Sequence, residues 1–326
     1  MKTALLLILM ILVAAGSVFL GRYPAQGFTS ADSLLHDELA RRLILNIRLP
    51  RIAAGLLLGM SLAAAGAVFQ MVFANPLVEP GFLGVSQGAG FGAALCIVAV
   101  SANPLAVQAS ALAFALAGLA LSFLLARVFR FGGRILRLVL AGIAVSALFS
   151  SGLGMLKLAA DPMDQLPEIT FWLLGGLWGA TWRQVLFVLP PACAGLIVVF
   201  LLRWRLNVLS LDDRVAHSLG SRPERERLLL LFSAVLVTAS TVSMSGLVGW
   251  IGLMVPHAAR RLFGADSAKS LPAAMAMGGI AVVLCDDLAR AALPSEVPLG
   301  ILTSILGVLV FLAFMAAPRR GRAVRE

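Results

Sequence analysis

Charge is what this chain has least of. Only 13% of its 326 residues are Asp, Glu, Lys or Arg, about half the share typical of a soluble domain. From Ile52 to Ala126 the single charged side chain is Glu79. A stretch of that length excludes water on its outside and needs lipid around it. Acids are scarcer than bases, 16 against 26, leaving a net charge of +10. In so apolar a chain the bases are assigned to loops of a membrane protein and not to nucleic acid as a partner. Cysteine is rare too. Cys96, Cys193 and Cys285 are scattered through apolar segments without metal-ligand spacing, so they read as small buried residues. The three histidines, His36, His217 and His257, lie far apart. His257 has no Ser, Cys or carboxylate close by in sequence to form a catalytic dyad. Finally, there is no Gly-rich loop ending in Lys and Ser/Thr to cradle a phosphate. The chain is therefore expected to do no covalent chemistry, and to hold neither a metal nor a cofactor of its own.

What is present is apolar length. Hydrophobic residues make up 60% of the chain and the mean hydropathy is +0.97. Runs near 20 residues predict spans at 3–20, 52–73, 85–101, 104–126, 135–157, 185–202, 228–246, 247–263, 271–293 and 299–317. The expected class is an all-α polytopic membrane protein with one domain over residues 1–326. The opening "MKTALLLILMILVAAG" resembles a secretory signal, but its apolar run to Leu20 can span, and it reads as a retained first helix. With the N-terminus in the cytoplasm, the inner loops 127–137, 203–227 and 259–269, the tail and Lys2 hold 18 of the 26 basic residues, as expected for a positive interior. One outer segment, 21–51, breaks that pattern with Arg22, Arg41, Arg42, Arg48 and Arg51. In "NIRLPRIAAG" the last two sit one turn apart. On charge alone two readings are equal: an acidic partner outside, or snorkelling to lipid headgroups.

Three further stretches carry information. "FANPLVEPGFLGVSQGAG" (73–90) puts two prolines and four glycines where a helix would otherwise continue. Such a break at membrane depth belongs where backbone is buried in protein or lines a cavity, although a simple loop is the alternative. "VLSLDDRVAHSLG" (208–220) interleaves apolar and charged residues as a short amphipathic helix closed by Gly220, resting on a partner or on lipid. Gly246, Gly249 and Gly252 recur every third residue and allow close helix packing. The segments 52–157 and 228–317 each hold four spans running in opposite directions, with an early Gly/Pro break in each, as in an inverted repeat.

The blocks "RLPRIAAGLLLGMSLAAAGAVFQMVFANPLVEPGFLGVSQGAG" (48–90), "LVLAGIAVSALFS" (138–150), "ITFWLLGGLWGATWRQ" (169–184), "LNVLSLDDRVAHSLG" (206–220), "SGLVGWIGLMVPHAARRLFG" (245–264), "CDDLAR" (285–290) and "EVPLGILTSILG" (296–307), in this order, resemble the FecCD family of permeases. These serve binding-protein-dependent ABC importers of iron-siderophores, haem and vitamin B12. The resemblance implies a ten-helix permease of the bacterial inner membrane with both termini inside. It would work as a homodimer with two ABC ATPase subunits, which bind ATP and Mg, and one periplasmic substrate-binding protein. It also implies that Arg48, Arg51 and Arg290 receive acidic side chains of the binding protein, with Asp286 orienting Arg290 from four residues away. Asn75 and Leu77 match positions lining the translocation path, and Gln70 is a further polar candidate there. Leu211, Asp213, Ala216, Leu219 and Gly220 match the segment coupled to the ATPase. Gly132 and Gly133 fall at the inner gate, where they replace small hydroxylated residues of some relatives. The cargo expected from this resemblance is a metal chelate, an iron chelate first. The competing classes are a proton-coupled carrier, which would need Glu79, Asp286 or Asp287 at membrane depth, and an intramembrane enzyme, which would need clustered catalytic groups.

Overall fold

A computed structural model describes residues 2–21, 23, 27–28, 36–291 and 295–316. The helices are α1 (Lys2–Phe19), α2 (Glu38–Leu43), α3 (Leu49–Val72), α4 (Val85–Ala99), α5 (Pro104–Val128), α6 (Arg134–Ala159), α7 (Gln165–Leu174), α8 (Trp182–Leu201), α9 (Arg203–Leu209), α10 (Asp213–Ser218), α11 (Pro223–Ser245), α12 (Ile251–Phe263), α13 (Ser267–Ala291) and α14 (Leu299–Ala316). A π-helical stretch, Ile44–Arg48, joins α2 to α3, and a 3-10 turn, Pro80–Leu83, precedes α4. Two short antiparallel strands, β1 (Leu20–Gly21) and β2 (Gly27–Phe28), follow α1.

Each expected span overlaps a helix over its described residues, positions 292, 293 and 317 lying outside them, and seven helices are long and apolar enough to cross a bilayer. The chain is thus a multi-pass membrane protein; α4, α12 and α14 lie outside that group of seven. Two elements differ from the expectation. Helix α7 was not foreseen, because its ten residues are too short for a search by span length, and Gly175, at φ +69°, ends it. The helix expected over 208–220 is divided between the end of α9 (Arg203–Leu209) and α10 (Asp213–Ser218). Asp212 separates them by accepting a hydrogen bond from the Arg214 amide, which starts α10.

The core is organised around α3. In its apolar window 83% of residues are buried, against 6% for α1 on the rim. A helix surrounded by protein in lipid gains nothing from hydrophobic exclusion, so its contacts rest on close packing of small residues. Gly59 meets Gly278 of α13 so closely that a methyl on either would enter the other's carbonyl oxygen, and a methyl on Gly66 would enter the carbonyl of Gly252 of α12. Of the three evenly spaced glycines, Gly246 and Gly252 are pressed against backbone, Gly252 also against the Pro80 ring, whereas a methyl on Gly249 would meet nothing within 4 Å. The buried hydroxyls of α11 are satisfied within the helix: Thr238 donates to Ala234, Ser240 to Leu236, Thr241 to Val237 and Ser245 to Thr241.

This packing generates the first prediction. Gly59→Val places a branched side chain against the α13 backbone, where overpacking costs at least about 1–3 kcal/mol. The variant is expected to lose its monodisperse peak in detergent size-exclusion chromatography, while Gly249→Ala elutes as the wild type does. A normal profile for Gly59→Val would show that α3 and α13 do not depend on this contact.

Candidate functional site

At the end of the molecule that charge places outside, Arg51 stands one turn into α3 and Asp286 near the end of α13. Arg51 Nε and Nη2 donate to the two Asp286 oxygens at 2.8 and 2.9 Å, a fork that suits a planar guanidinium. Its remaining edge, Nη1, donates to Glu296 at 2.9 and 3.1 Å. The side chains of Arg51 and Asp286 are 7% and 5% exposed, and that of Glu296, in the connection to α14, is 36% exposed. Arg290 pairs with Asp287 and comes only within 4.0 Å of Asp286. This corrects the expectation that Asp286 orients Arg290. Successive helical side chains diverge by about 100°, so Asp286 turns to α3 while Asp287 turns to α1 and accepts from Ser17 Oγ at 2.6 Å.

Two arginines finish α1. Arg48 Nη1 donates to the Val18 carbonyl at 2.9 Å, and Arg290 donates to the Leu20 and Ser17 carbonyls at 2.9 and 2.8 Å. The last carbonyls of a helix have no intrahelical partner and carry partial negative charge, which these cations neutralise. Because Ser17 and Val18 belong to this network, α1 is part of the fold. The three expected docking arginines are therefore buried and held by their own chain, not standing free on the surface. They still line one cavity of about 230 Å³, together with Gly21, Tyr23, Leu43, Ile47 and Glu296.

Tyr23 fixes one wall of that cavity. Its hydroxyl donates to Asp37 at 2.9 Å, and Asp37 also caps α2 by accepting from the amides of Leu39 and Ala40. The Tyr23 hydrogen bond, helped by the backbone donors and opposed by desolvation, holds the Asp37 carboxyl below the usual carboxylate range. The same bond, then burial and the neighbouring negative charge, pushes the Tyr23 phenol up.

At the opposite end, three groups that the sequence treated separately meet. A cavity of about 420 Å³ is lined by Val72 and Phe73 of the α3 terminus, Gly133 of the expected gate, and Leu211, Asp213 and Arg227. Arg227 joins them, bridging to Asp213 at 2.6 Å and donating to the Leu209 carbonyl at 3.0 Å. Gly132, at φ +71°, turns the chain into α6 beside exposed Gly133. Within the coupling segment the residues divide. Leu211 and Leu219 are exposed, Gly220 at φ +76° closes α10, and Ala216 is fully buried against its own chain. Ala216 thus supports the helix from behind and does not face a partner.

The α3–α4 break exposes Ala74 to Leu77, with Ala74 at φ +48° and the Asn75 side chain accepting from the Leu77 amide at 2.9 Å. Asn75 and Leu77 are therefore open for contact. Gln70 is not. It is buried, donates to the Leu253 carbonyl at 3.0 Å and accepts from Arg260. Its polar atoms are consumed in joining α3 to α12, which removes it from the path candidates. Asp286 and Asp287 are likewise taken by arginines, leaving neither as a free proton carrier. Sequence reasoning missed the roles of Glu296, Arg227 and Arg260. Glu296 did carry a signal, being the sole acid between Asp287 and the terminal Glu326.

Two predictions follow from these contacts. Removing one member of a buried ion pair costs about 3–5 kcal/mol, whereas an apolar replacement of both is close to neutral. Arg51→Met should lower the melting temperature in detergent strongly, and Arg51→Met with Asp286→Leu should recover much of the loss; strictly additive effects would deny the coupling. Tyr23 is the only tyrosine, so tyrosinate absorbance reports it alone. It should ionise above the ordinary phenol range, and Asp37→Asn should bring it back. The stabilisation from Asp37 should persist above the ordinary carboxylate pKa and disappear as pH falls through its lowered value. A wild-type phenol titrating like free tyrosine would rule out this wall.

The model of the FecCD transport family matches residues 5–317. MolB, a molybdate import system permease protein of Haemophilus influenzae, is 36% identical over 97% of this chain and 95% of its own length. A protein of Helicobacter pylori named as an iron chelatin transport system permease is 39% identical over 94% of both chains. Among solved structures, an inward-facing metal-chelate type ABC transporter superposes with a TM-score of 0.89 at 34% identity, covering 96% of this chain and 98% of that one. With the family model covering residues 5–317 and the superposition covering nearly the whole chain, the chain belongs to the FecCD transport family of ABC transporter permeases, which are transport subunits and not enzymes.

Proposed function

We propose that this permease imports a metal chelate, an iron chelate in the first instance, across the bacterial inner membrane. It acts as a homodimer with two ATPase subunits, which supply ATP hydrolysis, and one periplasmic substrate-binding protein. Carboxylates of that protein enter the cavity lined by Arg48, Arg51 and Arg290. Cargo passes Asn75 and Leu77 at the α3–α4 break, and the loop at Gly132 and Gly133 gates its exit. The iron chelatin relative and the metal-chelate transporter neighbour support this cargo. The molybdate relative supports an oxyanion instead, so the purified binding protein is to be tested against ferric siderophores, haem, cobalamin and molybdate.

The observation that carries the assembly is the unpartnered stripe around α10. Leu211, Val215 and Leu219 are spaced by four residues and are all exposed, at 45%, 47% and 58%. Behind them, Asp213 and Arg227 tie α10 to α11 and to the cavity reaching Gly133 and Phe73. An ATPase cleft closing on this stripe would push on the gate through these contacts, biasing an inward-open against an outward-open dimer.

Leu211→Ser with Leu219→Ser is expected to release the ATPase subunits on purification, or to lower transport per ATP in proteoliposomes severalfold, with the permease still folded. Unchanged subunit stoichiometry and unchanged transport per ATP would remove α10 from the coupling role.

A further inference from the structure

Glu296 differs from the other acids of the outer cluster. Asp286 is buried behind Arg51 and holds two of its donor atoms, so it cannot leave without stranding a buried cation. Glu296 holds only the outward Nη1 edge, from a connection between helices, and its own side chain is 36% exposed. Among the described residues it is also the only acid lining the 230 Å³ cavity where Arg48, Arg51 and Arg290 converge. Among the described residues, Asp286 and Glu296 pair with Arg51, and Asp287 pairs with Arg290. With Glu296 turned out to solvent, the cavity would lose one negative charge and gain one vacant guanidinium edge.

We propose that Glu296 is a displaceable internal occupant of the arginine cavity. It neutralises Arg51 in the free permease and yields the Nη1 edge to a carboxylate of an acidic soluble protein when that protein docks. This rests on the docking reading above and deepens it. The exchange is one carboxylate for another at the same donor atoms, so the buried Arg51–Asp286 pair is undisturbed throughout. The internal acid makes docking weaker than three arginines alone would allow. It also lowers the positive charge of the cavity between encounters, so that other anions gain less by entering it. An exposed ion pair contributes modestly, and the effect of removing this competitor is correspondingly a matter of severalfold and not of many decades.

The test uses the full transporter in nanodiscs and its substrate-binding protein, with the dissociation constant measured at two salt concentrations. Glu296→Gln keeps the side-chain shape and removes the charge. It is expected to tighten docking about three- to tenfold and to make affinity fall more steeply with salt. Glu296→Asp, one methylene shorter, should tighten it in the same direction by less, and serves if the Gln variant folds poorly. A binding protein whose permease-facing carboxylates are changed to amides forms a second arm that leaves the permease untouched. It should dock more weakly, and the gain from Glu296→Gln should shrink with it. If the amide form docks as tightly as the wild type, the docking reading fails and this inference with it. If the amide form docks weakly while both Glu296 variants leave wild-type docking unchanged or weaker, the docking reading stands and the displaceable occupant is overturned.

Discussion

A bilayer solvates neither a peptide carbonyl nor a guanidinium, and every part of this fold answers to that constraint. A polar group at membrane depth must find its partner inside the chain or be carried to an end where water is available. The pairing of Arg51 with Asp286 is where the requirement is sharpest. It places full charges on α3 and α13, the two helices already brought together by Gly59 and Gly278. Burial of either charge is tolerable only with the other present, so the pair dictates how these helices meet at their outer ends. Arg48 and Arg290 extend the same logic to the backbone, supplying donors to the last carbonyls of α1.

The two ends of the molecule solve different problems with similar parts. At the outer end, cations are compensated closely and a small cavity remains above them. At the inner end, a single ion pair, Asp213 with Arg227, joins a short exposed helix to the long helices behind it. Between the ends, backbone irregularity is concentrated where α3 breaks and where α12 begins. The two breaks touch, since Gly252 lies against Pro80 and Gln70 reaches the carbonyl of Leu253. Each break thus lends packing to the other, which is how non-helical backbone persists at that depth.

The balance between rigidity and freedom is uneven by design of the packing. Small residues lock α3, α12 and α13 backbone to backbone. Among the described residues, the stripe of Leu211, Val215 and Leu219 and the turn at Ala74–Leu77 are instead exposed. Both lie at the ends of helices that the core holds firmly.

Much of the architecture was legible in the residues. Hydropathy located the seven long apolar helices because a span must be about 20 residues of unbroken apolar character, and glycines and prolines marked both breaks because they interrupt a helix, although Ala74 and Trp250 also take positive φ there. The same length rule is why α7 escaped notice. What the sequence could not decide was partnership. Gln70 reads as a polar contact for cargo until Arg260, 190 residues later, is found bonded to it. Asp286 reads as the neighbour of Arg290 until the turn of the helix directs it to Arg51, 235 residues away. Ala216 and Leu219 look alike in an amphipathic pattern, yet one is buried and the other exposed. Local pattern determines which segments are helical and membrane-embedded, because those properties depend on the solvent and on near neighbours in the chain. Which charges neutralise each other, and which apolar faces are left for a partner, depends on contacts between distant segments. Those were decided only when the helices packed.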